Sequence, residues 1–215
     1  TIYASTMSER ALNYRARRGL LDRDEQMALL VQRVSGVQQG SLFYPHMAGV
    51  GLSFNPYVWS EQIDPEAGMV RLVMGLGTRA VDRSDDDYTR VVSLSDAQRR
   101  PESNFDSVRQ YSQKRIDVLD LEANQLTTRQ FADLARQSPD LPLQLVASRD
   151  YSLEQRARER GMQNLFPWVL TFEQLLQKTL FVDDMRELLA TLEDAYDYPV
   201  DVEFTVNAID DRHYR

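Results

Sequence analysis

Two carboxylates near the end of the chain are spaced like strand residues that share a face. Asp201 and Glu203 alternate with apolar neighbours in YPVDVEFTVN, and Thr205 and Asn207 fall on the same nominal side. Carboxylate and amide oxygens in this arrangement suit a magnesium ion carrying ATP phosphates, because that ion takes hard oxygen ligands and shares its shell with phosphate. The competing reading is an edge strand whose polar side chains meet solvent. A second candidate is GMVRLVMGLGTR, residues 68–79, where Gly75 and Gly77 would let backbone come close to a ligand. It matches neither the phosphate-cradling loop that ends in Lys-Ser/Thr nor GxGxxG, and a structural turn is the simpler account. Asp85, Asp86 and Asp87, followed by Tyr88, could bind a divalent ion or orient arginines; a solvent-facing turn explains them more simply.

Composition narrows the chemistry further. The 215 residues contain no cysteine, which excludes disulfides, thiolate zinc sites and thiol nucleophiles. A net charge of -8 argues against nucleic acid or an anionic membrane as partner. No window approaches the roughly 18 apolar residues of a membrane helix, and the opening Thr1-Ile2-Tyr3-Ala4 has no signal-peptide pattern. These features fit a cytoplasmic protein, and a chain that opens without Met reads as an excised fragment. Apart from Lys114 and Lys178 the basic residues are all arginine, so a lysine-dependent nucleotide site would need help from elsewhere.

The elements that must position these residues follow from periodicity. Ser8 and Glu9 open a helix to Arg18 that Gly19 stops, with Arg10, Arg15, Arg17 and Arg18 on a solvated face rather than at a phosphate. MALLVQRV, residues 27–34, reads as a buried strand, and further strands are expected at 40–44, 49–54, 69–74, 91–94, 118–121, 143–147 and 200–206. Residues 95–112 read as loop and 128–137 as a helix. The clearest helix covers 173–196, with Leu176, Leu180, Met185, Leu188, Leu192 and Tyr196 as the stripe that packs on the sheet. By this reading Leu188 is a core residue.

The order of these features resembles the ATP-grasp domain of the phosphoenolpyruvate synthase and pyruvate phosphate dikinase family. The resemblance rests on YASTMSERALNYRARRG, MALLVQRV, AGVGLSFNP, VRLVMGLGTRAV with DDDYTRVV, and YPVDVEFTVN, spread over residues 3–207. It implies an α+β, ATP-grasp-like fragment with a mixed, mainly antiparallel sheet covered by helices, spanning 1–215, with a peripheral or inserted region at about 95–180. It also implies ATP and Mg2+ as cofactors and phosphohistidine and pyruvate-binding domains as partners. Gln32 then matches the polar residue near the adenine or hinge region, Glu203 the magnesium-binding glutamate, and Asp201 the Asp before it, with Asn207 in support.

The resemblance assigns no catalytic nucleophile. Neither His46 nor His213 lies in a phosphohistidine motif, and the preceding nucleotide-binding lobe is missing from the pattern. The chain also departs from the family at three positions: Phe54 replaces a phosphate-facing Arg, Arg71 a metal-binding Glu, and Thr78 the Glu of GLGE. The segment is therefore expected to be inactive alone, as the ATP-binding portion of a phosphotransferase. The alternative is a degenerate ATP-grasp module for ligand sensing or domain association.

Overall fold

The computed structural model describes residues 2–81, 87–162 and 164–215, in two units, Thr1–Val34 and Ser35–Arg215. The first unit holds helices α1 (Ile2–Ser5) and α2 (Glu9–Arg17). Ser8 caps α2, its hydroxyl accepting the Ala11 N–H at 3.3 Å, and Gly19 at φ +65° turns the chain away. Beyond it, residues 27–34 form no strand: Leu30 and Val31 are 81% and 89% exposed, which corrects the buried strand expected there. A strand exists only through a ladder partner, and this apolar run has none among the described residues.

The second unit is built on antiparallel pairing throughout. In chain order its elements are β1 (Val37–Gln39), β2 (Leu42–Tyr44), β3 (Met47–Leu52), β4 (Met69–Val73), α3 (Thr78–Val81), β5 (Arg90–Ser93), α4 (Phe105–Gln110), β6 (Arg115–Asp120) and β7 (Gln125–Gln130). There follow α5 (Phe131–Gln137), α6 (Leu143–Val146), β8 (Ala147–Arg149), α7 (Tyr151–Glu159), β9 (Trp168–Leu170), α8 (Glu173–Lys178), α9 (Phe181–Tyr196) and β10 (Asp201–Val206). One sheet runs β1-β2-β6-β7, a second β10-β3-β4-β5, and β8 pairs with β9. The class is α+β, and the expected ATP-grasp-like sheet covered by helices is present with every pairing antiparallel.

A single buried cluster joins the two large sheets to the helices, from Tyr44, Leu72 and Val92 through Ile116 and Val118 to Phe172, Leu175 and Phe181. In β3 the alternation of GVG decides which face α9 meets. Gly49 and Gly51 turn their hydrogen-only faces inward, and a Cβ at Gly51 would lie 2.9 Å from the Met185 methyl carbon. The helix can therefore sit close to the strand, with Phe181 against Phe204 at a ring separation of 5.8 Å.

Several local expectations are revised. The long helix breaks at Thr179 and Leu180, where the Thr179 hydroxyl donates to Leu175 O at 2.6 Å and accepts from Phe181 N–H. Its buried stripe is Phe181, Val182, Met185 and Leu189, so Leu180 and Leu188, at 68% and 38% exposure, are not core residues. Residues 125–130 are strand before α5 begins, 143–146 are helix, and 105–110 are helix within the expected loop. Among the described residues no helix is long and apolar enough to cross a membrane.

Candidate functional site

The face of the second sheet that turns away from α9 carries the polar residues. Register places Glu203 opposite Val50, Val50 opposite Arg71 and Arg71 opposite Val91, so these four form one row across the four strands. Asp201, opposite Leu52, lies two residues along the same face. Ala48, Val73 and Ala80 of α3 form a small apolar cluster with Val50 packed against it, which leaves Arg71 and Val50 half-buried while Glu203 and Asp201 are exposed. Arg71 is aimed: one guanidinium N–H donates to the Tyr57 hydroxyl at 3.1 Å, another reaches the Ala80 carbonyl at 3.5 Å, and the guanidinium lies 5.7 Å from the Tyr57 ring centroid.

The glycine turn beside this row is fixed from beneath by β6. Gly75 and Gly77 have φ of +93° and +78°, and a Cβ at Gly75 would come within 2.6 Å of the Asp117 carbonyl, so glycine is required there. The buried Gln113 accepts the Met74 N–H at 2.8 Å and donates to Met74 O at 3.0 Å. Leu76 N–H bonds to Asp117 O at 3.0 Å. The Asp117 carboxylate accepts from the Thr78 and Thr128 hydroxyls, both at 2.6 Å, and lies 3.1 Å from Arg79 Nε. Burial alone would raise its pKa, but the bonds from Thr128, Thr78 and Arg79 outweigh burial and hold the carboxyl below its ordinary value.

Sequence reasoning identified neither Gln113 nor Asp117. The one available signal was a carboxylate between apolar strand residues in Ile116-Asp117-Val118, the same pattern that drew notice to Glu203. Thr78 is spent on Asp117, so it orients the turn. Of the acidic cluster, Asp85 and Asp86 lie outside the described residues. Asp87 accepts the backbone N–H groups of Lys114 and Arg115 at 2.9 and 2.7 Å, which is a structural clasp.

The named site residues are distributed as follows. Asp201 and Glu203 share the open face, with Cα atoms about 7 Å apart by strand geometry. Asn207 lies just past β10 and is buried; its Nδ2 donates to Ser35 Oγ at 2.8 Å, and its Oδ1 has no hydrogen-bond partner. Gln32 is exposed in the first unit. Phe54 is 44% exposed. Among the described residues no three His, Cys, Asp or Glu side chains gather to hold a metal by themselves. Two carboxylates that can converge, with phosphate oxygens completing the shell, still fit magnesium, which commonly takes only one or two protein carboxylates.

No curated protein matches the chain. Residues 1–214 match the family of the pyruvate phosphate dikinase AMP/ATP-binding domain. With that match covering nearly every residue, including both sheets and the polar face, the chain belongs to the pyruvate phosphate dikinase AMP/ATP-binding domain family.

Proposed function

We propose that the chain holds Mg-ATP on the open face of the β10-β3-β4-β5 sheet and supports phosphoryl transfer to a histidine on another domain of the intact protein, which also carries a pyruvate-binding domain. The observation that supports this most is the placement of Asp201, Glu203 and Arg71 on the face opposite the core, in a chain of an AMP/ATP-binding family. Glu203 and Asp201 would hold the metal. Bound magnesium supplies neutralisation of the charge that spreads over the transferring phosphoryl oxygens. The chain's own part is positioning.

The two histidines support an acceptor located elsewhere. His46 is buried, its Nδ1 accepting the Ala208 N–H at 3.1 Å, and His213 is occupied by Asp210 at 2.8 Å. The test is Glu203→Gln in the intact protein, which keeps size and hydrogen bonding and removes the anion. Magnesium-dependent ATP affinity by calorimetry and phosphohistidine formation should both fall, with the melting temperature nearly unchanged. If neither changes, Glu203 is a solvent-facing edge residue and the reading fails.

A second reading, a ligand-sensing or domain-association module, draws support from Thr78, whose hydroxyl is committed to Asp117 where the family pattern carries a carboxylate. Nucleotide binding without any phosphohistidine would select it.

A further inference from the structure

Arg71 brings a positive charge into the sheet. Among the described residues it has no carboxylate partner, although it is half-buried in the centre of a sheet. Its two hydrogen bonds go to a hydroxyl and a carbonyl, which leaves three of the five guanidinium N–H groups uncommitted. An arginine so placed would ordinarily be paired. The nearest carboxylate in its row, Glu203, is two strand spacings away, about 10 Å between backbones, with the apolar Val50 between them. Tyr57 and Ala80 hold the guanidinium in place, so its aim is set before any ligand arrives.

We infer that Arg71 binds a phosphate oxygen of the nucleotide directly, so that the phosphate chain lies over Val50 between a cation at Arg71 and the metal-holding carboxylate at Glu203. This rests on the function proposed above and adds the ligand atom and the orientation. The row Glu203-Val50-Arg71 presents an anion, an apolar floor and a cation in line. A phosphate bound to a divalent ion is the complement of that row: its metal side faces the carboxylate and its free oxygens face the guanidinium. The planar fork donates to two oxygens in one fixed plane, a preset geometry that a rotatable ammonium lacks. Because this contact does not pass through the metal, it persists when magnesium is removed.

The experiment is calorimetry of ATP binding to the intact protein, in magnesium and again in EDTA, for the wild type, Arg71→Gln, Arg71→Lys and Glu203→Gln. Arg71→Gln should weaken binding at least tenfold in both conditions, and Arg71→Lys should recover part of the loss. Glu203→Gln should lose affinity in magnesium alone. Melting curves without nucleotide separate folding from binding; if Arg71→Gln does not fold, Arg71→Lys decides, with a loss of threefold or more expected and no loss overturning the inference. Wild-type binding with an unaffected Arg71→Gln overturns the role of Arg71 and leaves the nucleotide reading standing. A wild type that binds no ATP overturns both.

Discussion

Asp117 and Glu203 have the same signature in sequence and opposite surroundings in the fold. Each is a carboxylate between apolar residues of a six-residue strand, β6 and β10. Asp117 is 9% exposed and accepts from two threonine hydroxyls beside an arginine, whereas Glu203 is exposed on an edge strand. What separates them is the neighbouring strand. β6 is interior, and β7 brings Thr128 opposite Asp117 while the glycine turn brings Thr78 and Arg79. Among the described residues β10 pairs with β3 alone, and opposite Glu203 stands Val50. A carboxylate in an apolar strand thus marks a polar demand, and the partner strand decides whether the protein meets it or leaves it to solvent.

The most severe way to break the comparison is Asp117→Ala. It removes the acceptor of two hydroxyls and one carboxylate partner of Arg79, and unfolding free energy should fall by about 3 kcal/mol in chemical denaturation. A loss no larger than that of a surface substitution would place Asp117 in the same class as Glu203. Next comes Gly75→Ala, which drives a Cβ toward the Asp117 carbonyl at a left-handed φ; a loss of about 2 kcal/mol is expected by the same measurement.

A smaller effect is readable against pH. The Asp117 carboxyl is held below its unfolded pKa, so its contribution is present above that value, about 4, and is lost as the pH falls through the folded one. The stability gap between wild type and Asp117→Asn should therefore narrow on acidification below pH ~4; a gap that stays constant would deny the carboxylate its role. The smallest effect belongs to Glu203→Gln, whose change in unfolding free energy should stay within about 0.5 kcal/mol, since an exposed side chain loses no protein partner. A larger loss would make Glu203 structural and dissolve the contrast.

The legible parts of the fold were those in which local pattern and final environment agree. Strands β3, β4, β5 and β10 alternate or run apolar between turn residues, and each lies within two or three residues of where periodicity placed it. The failures have separate physical causes. A run such as residues 27–34 has strand composition, but composition does not create a ladder partner. The helix from 173 reads as continuous because no glycine or proline interrupts it; the break comes from the Thr179 hydroxyl, which bonds on both sides. That break resets the phase, so Leu189 is buried while Leu188 faces outward.

The candidate site divides the same way. Asp201 and Glu203 share a face, as any strand requires, but nothing local to GMVRLVMGLGTR shows that Arg71 stands in register with Glu203 two strands away. Long-range pairing sets that row. The support of the turn by Gln113 and Asp117, about forty positions further along the chain, was hidden for the same reason.

The edge position of β10 has a further consequence, for colloidal behaviour. Among the described residues no strand pairs with its outer side, and a six-residue edge strand is long enough for another extended chain to add to it. Asp201 and Glu203 stand on that strand, and adding a like strand beside it would bring these two anions close to their counterparts. Neutralising both carboxylates would remove that like-charge repulsion from the edge, whatever their part in holding a metal.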